Sequence, residues 1–104
     1  MTTEEIIKRN QALTAYMGGP DYLREKFYNR TLIEEFELIT PIELEFKHSW
    51  DWAIPVWSKI RKDLSPIMVI SAISAIDMED IETLYIIMSQ VAIDWCINNK
   101  INLI

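Results

Sequence analysis

The chain has 104 residues, half of them apolar and a quarter charged, with a formal net charge of -6. That length holds one domain with one core and is too short for two, and the single cysteine, Cys96, excludes an intrachain disulfide. The acidic balance argues against nucleic-acid binding, which needs a basic face, and the longest apolar run, residues 67–76, is about half of the ~20 residues that span a bilayer.

The opening MTTEEIIKRN is acidic and polar, so a secretory leader is not expected, and the one unpaired cysteine fits a reducing cytoplasm. Thr2 to Met17 reads as a helix. Thr2 and Glu5 have capping-box spacing, and Ile6, Leu13 and Met17, with Ile7 and Tyr16 alongside, form an apolar stripe. Both glycines of the chain sit in Gly18-Gly19-Pro20, a stop signal. Residues 20–41 form a variable connecting segment. Within it 31–38 reads as a helix capped by Thr31 with Glu34 in the box position, or as a strand, and Thr40-Pro41 breaks it.

From residue 42 to 104 the pattern predicts a core of strand, helix, strand, helix. Ile42, Leu44 and Phe46 alternate with Glu43 and Glu45, the pattern of a half-buried strand. Ser49 or Asp51 can cap a helix running to about Lys62, with Pro55 tightening or bending it. The β-branched run 67–76 favours a buried strand. Its rival is a helix with Ser65 as cap and Pro66 in the first helical position. Asp77 then caps a last helix, with Glu79, Asp80 and Glu82 complementing its dipole. Ile81, Leu84, Tyr85, Met88, Ala92, Trp95 and Cys96 supply its packed stripe. The expectation is one α+β domain over 1–104, opening with a helix over 1–19, with a few-stranded sheet packed by helices.

The chemistry-bearing residues are few. His48 is the only histidine, so a two-histidine metal site is excluded. Asp51 could orient it as a general base, but no residue type at fixed spacing supplies a nucleophile, and a locally bonded histidine is the plainer reading. The run 77–82 carries Asp77, Glu79, Asp80 and Glu82 but lacks the glycine and ligand spacing of a calcium loop. Cys96 lies on an apolar stripe, where cysteines behave as inert hydrophobes. Two adjacent glycines cannot build a phosphate cradle. No enzyme, metal or cofactor is expected.

The tryptophans are the most distinctive feature. Trp50, Trp52 and Trp57 fall within HSWDWAIPVW, residues 48–57. On a helix Trp50 and Trp57 share a face with Ile54 and Ala53, and Trp52 points roughly opposite. Two rings can then pack on the core while the third serves a protein partner or a stacked base; the plainer reading is that all three are core and edge packing.

LEFKHSWDWAIPVWSKI, residues 44–60, resembles a segment of small uncharacterised bacteriophage proteins, especially from phages of Bacteroidetes, which read His-Ser-Ser-Trp-Asp-Trp-Leu-Met-Pro-Val-Val-Glu-Lys-Ile after a strand. NQALTAYMGG (10–19) is similar to the Asn-x-x-Ile-Ala-x-Phe-Met-Gly element that opens them, and 81–100 to their closing helix. Trp57 and Ala53 depart from the aliphatic residues of that motif, and the stretch between Ile60 and Ile81 is shorter. The resemblance covers about half the chain and implies a phage origin, the layout of phage α/β/α sandwich modules and no established activity.

Two functions are therefore expected. One is a homo-oligomeric, non-enzymatic phage accessory protein in the host cytoplasm that binds a host protein and interferes with it or with host defence. The other is an oligomeric sponge for a nucleotide immune signal, stacking the base on Trp52 or Trp57 and holding phosphates with Lys59, Arg61 or Lys62, with His48 nearby. A structural or replication-associated phage protein is the third alternative.

Overall fold

A computed structural model of the protein describes residues 1–19, 21–23 and 44–103. The readings for 24–43, including a helix or strand at 31–38, the break at Thr40-Pro41 and the first half of the expected strand, lie outside the described residues. Among those described the fold is helical and contains no strand, which corrects the expected α+β sheet. Among the described residues four helices have both ends in view: α1 (Thr3–Met17), α2 (Trp50–Ile60), α3 (Pro66–Asp77) and α4 (Ile81–Asn98). Single 3₁₀ turns precede α2 (Glu45–Lys47) and follow it (Arg61–Asp63). No described helix is long and apolar enough to cross a membrane.

α1, α3 and α4 start where a side chain satisfies an orphan amide, whereas Ser49, in the cap position of α2, makes no side-chain cap bond. The Thr2 hydroxyl accepts from the Glu5 amide at 3.1 Å to open α1. At the far end Gly18 and Gly19 take φ of 125° and 77°, and their amides close on the Ala15 and Thr14 carbonyls. Ser65 accepts from the Met68 amide at 3.3 Å, with Pro66 in the first helical position. That cap decides residues 67–76. A preformed helix start, with alanines at 72 and 75 on the buried side, outweighs the strand preference of the β-branched residues.

The described part of the expected strand, 44–46, is not a strand, for a different reason. Leu44 is extended, but the chain turns at once into the 3₁₀ turn of Glu45–Lys47, and no described strand lies beside it to complete a ladder. Leu44 and Phe46 are buried all the same. The two-residue alternation thus marks two side chains that reach the core from a turn.

The cap of α4 also shifts. Asp77 is the last residue of α3, and Asp80 caps α4, accepting from the Thr83 amide at 3.1 Å and from the Thr83 hydroxyl. Those two bonds, the side-chain one foremost, hold the Asp80 carboxyl below the usual carboxylate range. Between α3 and α4 the turn puts Glu79 at φ 55°, and the Asp80 amide reaches back to the Ala75 carbonyl at 2.8 Å.

α4 is the central element; α1, α2 and α3 all pack on it, α1 most extensively. Leu84, Tyr85, Met88, Ala92 and Cys96 are fully buried on α4, and Ala12 and Leu13 meet them from α1. The Cys96 thiol lies 3.9 Å from the Ala12 carbonyl, and burial pushes its pKa up. Of the stripe expected on α1, Leu13 and Tyr16 are buried, Ile6, Ile7 and Met17 are half-buried, and Asn10 occupies the core instead.

Asn10 is held by a buried network. The Tyr85 hydroxyl donates to Asn10 Oδ1 at 2.8 Å, and Asn10 Nδ2 donates to the Leu44 carbonyl at 3.5 Å. Beside it, the Arg9 guanidinium donates to Ser89 Oγ at 2.8 Å and to the Ile86 carbonyl. Tyr85→Phe should therefore lower unfolding free energy by about 1–3 kcal/mol in urea titration, because it removes a hydrogen bond to a buried amide oxygen. Adding Asn10→Leu to that variant should recover part of the loss; a strictly additive double mutant would show that the two side chains are not coupled.

Candidate functional site

α2 buries a narrow seam made by Ala53, Val56 and Ile60, all fully inaccessible. Helical spacing sets Trp50 and Trp57 on one flank of that seam and Trp52 on the other. All three rings are half-buried and packed against the core. The Trp52 ring meets Phe46 edge-on, with centroids 5.0 Å apart and an interplanar angle of 85°. All three rings thus stand as core and edge packing, and Trp52 is not left as a free outward ring. Ile54, expected on the shared apolar face, is exposed on the outer side. Pro55 sits inside α2 and removes one backbone donor from its second turn.

The other sequence-derived site residues divide. His48 is exposed at the end of the 3₁₀ turn, its amide bonded to the Glu45 carbonyl at 3.1 Å, and Cys96 is buried in the α1–α4 contact, so the two are not parts of one surface-open site. Among the described residues no group of three or more His, Cys, Asp or Glu is placed to hold a metal ion. Lys59 and Lys62 line one cleft, while Arg61, on the same 3₁₀ turn as Lys62, is exposed and is not part of its wall.

That cleft, of about 560 Å³, is formed by the end of α1, the α2–α3 junction and the second half of α4. Its floor is Trp95, Val91 and Met68; its rim carries Lys59, Lys62, Asp63, Asp94 and Asn98. Tyr16 stands at its centre. The Trp95 ring meets it edge-on at 5.4 Å, and the Lys59 ammonium lies 4.9 Å from the ring centroid and donates to the Tyr16 carbonyl at 2.7 Å. The Tyr16 hydroxyl donates to Asp63 Oδ2 through a short hydrogen bond. Burial first, then the hydrogen bond and charge of Asp63, push the Tyr16 pKa well above its ordinary value. Lys59 thus ties the C-terminal end of α1 to α2, where a cation also complements the helix dipole.

Sequence reasoning assigned Trp95 and Tyr16 to the packed stripes of their helices and passed over Asp63. The signal available was Val91, Trp95 and Asn98 at intervals of four and three on α4. The positions of Tyr16 and Asp63 relative to that stripe depend on how α1 and α2 cross α4, which spacing along one helix does not encode.

A second surface stands out on α3. Its inner side, Met68, Val69, Ala72, Ala75 and Ile76, faces the core. Its outer side is apolar as well: Ile67 is 78% exposed, Ile70 69%, Ile73 47% and Met78, just past its end, 76%. Together these four show roughly 500 Å² of apolar surface, at the upper end of the largest patch on an ordinary monomer. Ser71 and Ser74 lie between them, and no charged residue occurs on α3 before Asp77.

No family model, curated protein or solved structure matches the chain in the comparisons made with known proteins.

Because the Trp52 ring braces Phe46, Trp52→Ala should cost about 2–3 kcal/mol of stability, similar to Trp50→Ala and Trp57→Ala. Thermal unfolding of the three variants side by side checks this; a Trp52→Ala variant as stable as the parent would restore the outward ring.

Proposed function

We propose that the protein acts by binding another polypeptide, and not by catalysis, and that the outer face of α3 is its working surface. The observation that carries this reading is a helix apolar on both sides. A helix of that kind is ordinarily enclosed by protein on all faces, and here its outer side carries Ile67, Ile70 and Ile73 into water. Isolated exposed isoleucines are commonplace, but a contiguous uncharged stripe of them is characteristic of an interface core. The chemistry-bearing residues fit the same reading. Cys96 is buried with its thiol pKa raised, which disfavours the thiolate that a nucleophile needs.

The biological setting comes from the resemblance to small phage proteins. In that setting the protein is an oligomeric accessory factor of a phage, acting in the host cytoplasm on a host protein or host defence. The nucleotide-trapping alternative has one observation in its favour: Lys59 and Lys62 border a cleft floored by an indole. It has two against it. Lys59 is already committed to the Tyr16 carbonyl, and Asp63 and Asp94 sit on the same rim, where they oppose a polyanion.

The test is affinity capture from host lysate with the parent protein and with Ile70→Glu, whose site is exposed enough to leave the fold intact. A polypeptide, whether a lysate protein or an added second copy of the chain, retained by the parent and depleted at least about tenfold by Ile70→Glu is the expected result. Identical capture profiles for the two would remove α3 from the binding surface.

A further inference from the structure

We propose that the outer face of α3 is occupied by α3 of a second copy of this chain, the two helices lying antiparallel about a two-fold axis beside Ile70 and Ser71. The proposal rests on the reading that this face binds a polypeptide, and it names which one.

Three observations select a second copy. The first is charge. Each chain carries a net -6, so two copies repel over most of their surfaces, yet residues 66–76 contain no ionisable side chain. This face is one where the acidic protein can meet itself without bringing like charges together. The same lack of charge leaves nothing to steer or select a charged foreign partner.

The second is shape. On the exposed side of α3, Ile67 and Ile70 come first and Ser71 and Ser74 follow, so one half of the face is large and the other small. An isologous contact must be complementary to itself, residue i meeting j while j meets i. The antiparallel register about Ile70 and Ser71 does this: Ile67 of each copy lies over Ser74 of the other, a large side chain over a small one. Ile70 and Ser71 then fill the middle, and Ile73 flanks them. Interdigitation of large and small residues is what close helix packing requires.

The third is size. The exposed patch of roughly 500 Å² per chain is smaller than the ~800 Å² per partner of a standard stable interface. The pairing is therefore a weak, concentration-dependent homodimer, and it leaves the cleft around Tyr16 and Trp95 to each chain separately.

Cysteine cross-linking gives a clean test, because the native Cys96 is fully buried and contributes no background. Ser71→Cys places an exposed thiol beside the axis; Glu4→Cys, exposed on α1, serves as the control. Under mild oxidation of the purified full chain, Ser71→Cys should give a disulfide-linked dimer and Glu4→Cys should stay predominantly monomeric. In sedimentation equilibrium the parent should move from one chain toward two as concentration rises. Ile70→Glu, checked for unchanged circular dichroism, should weaken that association at least about tenfold.

A parent that stays monomeric at every concentration, with Ser71→Cys failing to cross-link, overturns the proposal. If the introduced thiol then resists a soluble thiol reagent, α3 is covered from within its own chain. If it reacts freely and Ile70→Glu still abolishes capture of a lysate protein, the occupant is foreign, and the broader binding reading survives alone. A dimer indifferent to Ile70→Glu also overturns it, because the contact then lies elsewhere.

Discussion

The hydrogen bond from Tyr85 to Asn10 is the constraint on which the arrangement of this small protein depends. Both side chains are buried, and a buried amide without partners costs more than a typical made hydrogen bond contributes. Asn10 bonds both Tyr85 and the Leu44 carbonyl, which ties the register of α1 to α4 and holds the segment leading into α2 over the same crossing. Apolar packing alone would leave these helices several acceptable offsets; the amide selects one. The Arg9 contacts with Ser89 and Ile86 strengthen the same choice one residue earlier on α1.

With α1 and α4 so placed, α2 has one way to lie. Its inaccessible seam of Ala53, Val56 and Ile60 faces the core, and its three tryptophans close the margins. Phe46 receives Trp52, and Lys59 reaches the end of α1. The cluster that looks most like a ligand site in the sequence therefore braces the fold. The open cleft forms at the other end of α2, around Tyr16 and Trp95. Among the described helices α3 carries the most exposed apolar side: α4 covers one face, while its isoleucines face outward. A small domain has limited surface with which to cover an all-apolar helix, and the remainder is left facing water.

Much of the local structure could be read from residues in order. The Thr2–Glu5 cap and the glycine pair bound α1, and the periodic apolar positions of 81–96 identify α4, because capping and helical periodicity are short-range effects. Where two local signals competed, the sequence did not rank them. At 67–76 β-branching opposed a serine cap followed by proline, and the cap prevailed because α4 offers a surface that Ala72 and Ala75 can approach closely. At 42–46 alternation suggested a strand, but a strand needs a neighbour, and the described fold provides none. For α4 two acidic residues could serve as cap, and the turn through Glu79 decided for Asp80.

By itself, then, the sequence determined the helix start at Thr2, the stop at Gly18, the apolar stripe of α4 and the absence of an intrachain disulfide, since each follows from residues within a turn or two of one another or from composition. The tertiary structure alone decided that the fold is helical, that Trp52 turns inward, that Lys59 and Lys62 share a cleft with Trp95, and that three isoleucines of α3 are left facing water. Those outcomes depend on which faces meet across elements as much as 80 residues apart, as Arg9 and Ser89 do. Spacing along a helix shows which side chains share a face; only the crossing of helices shows which faces are covered.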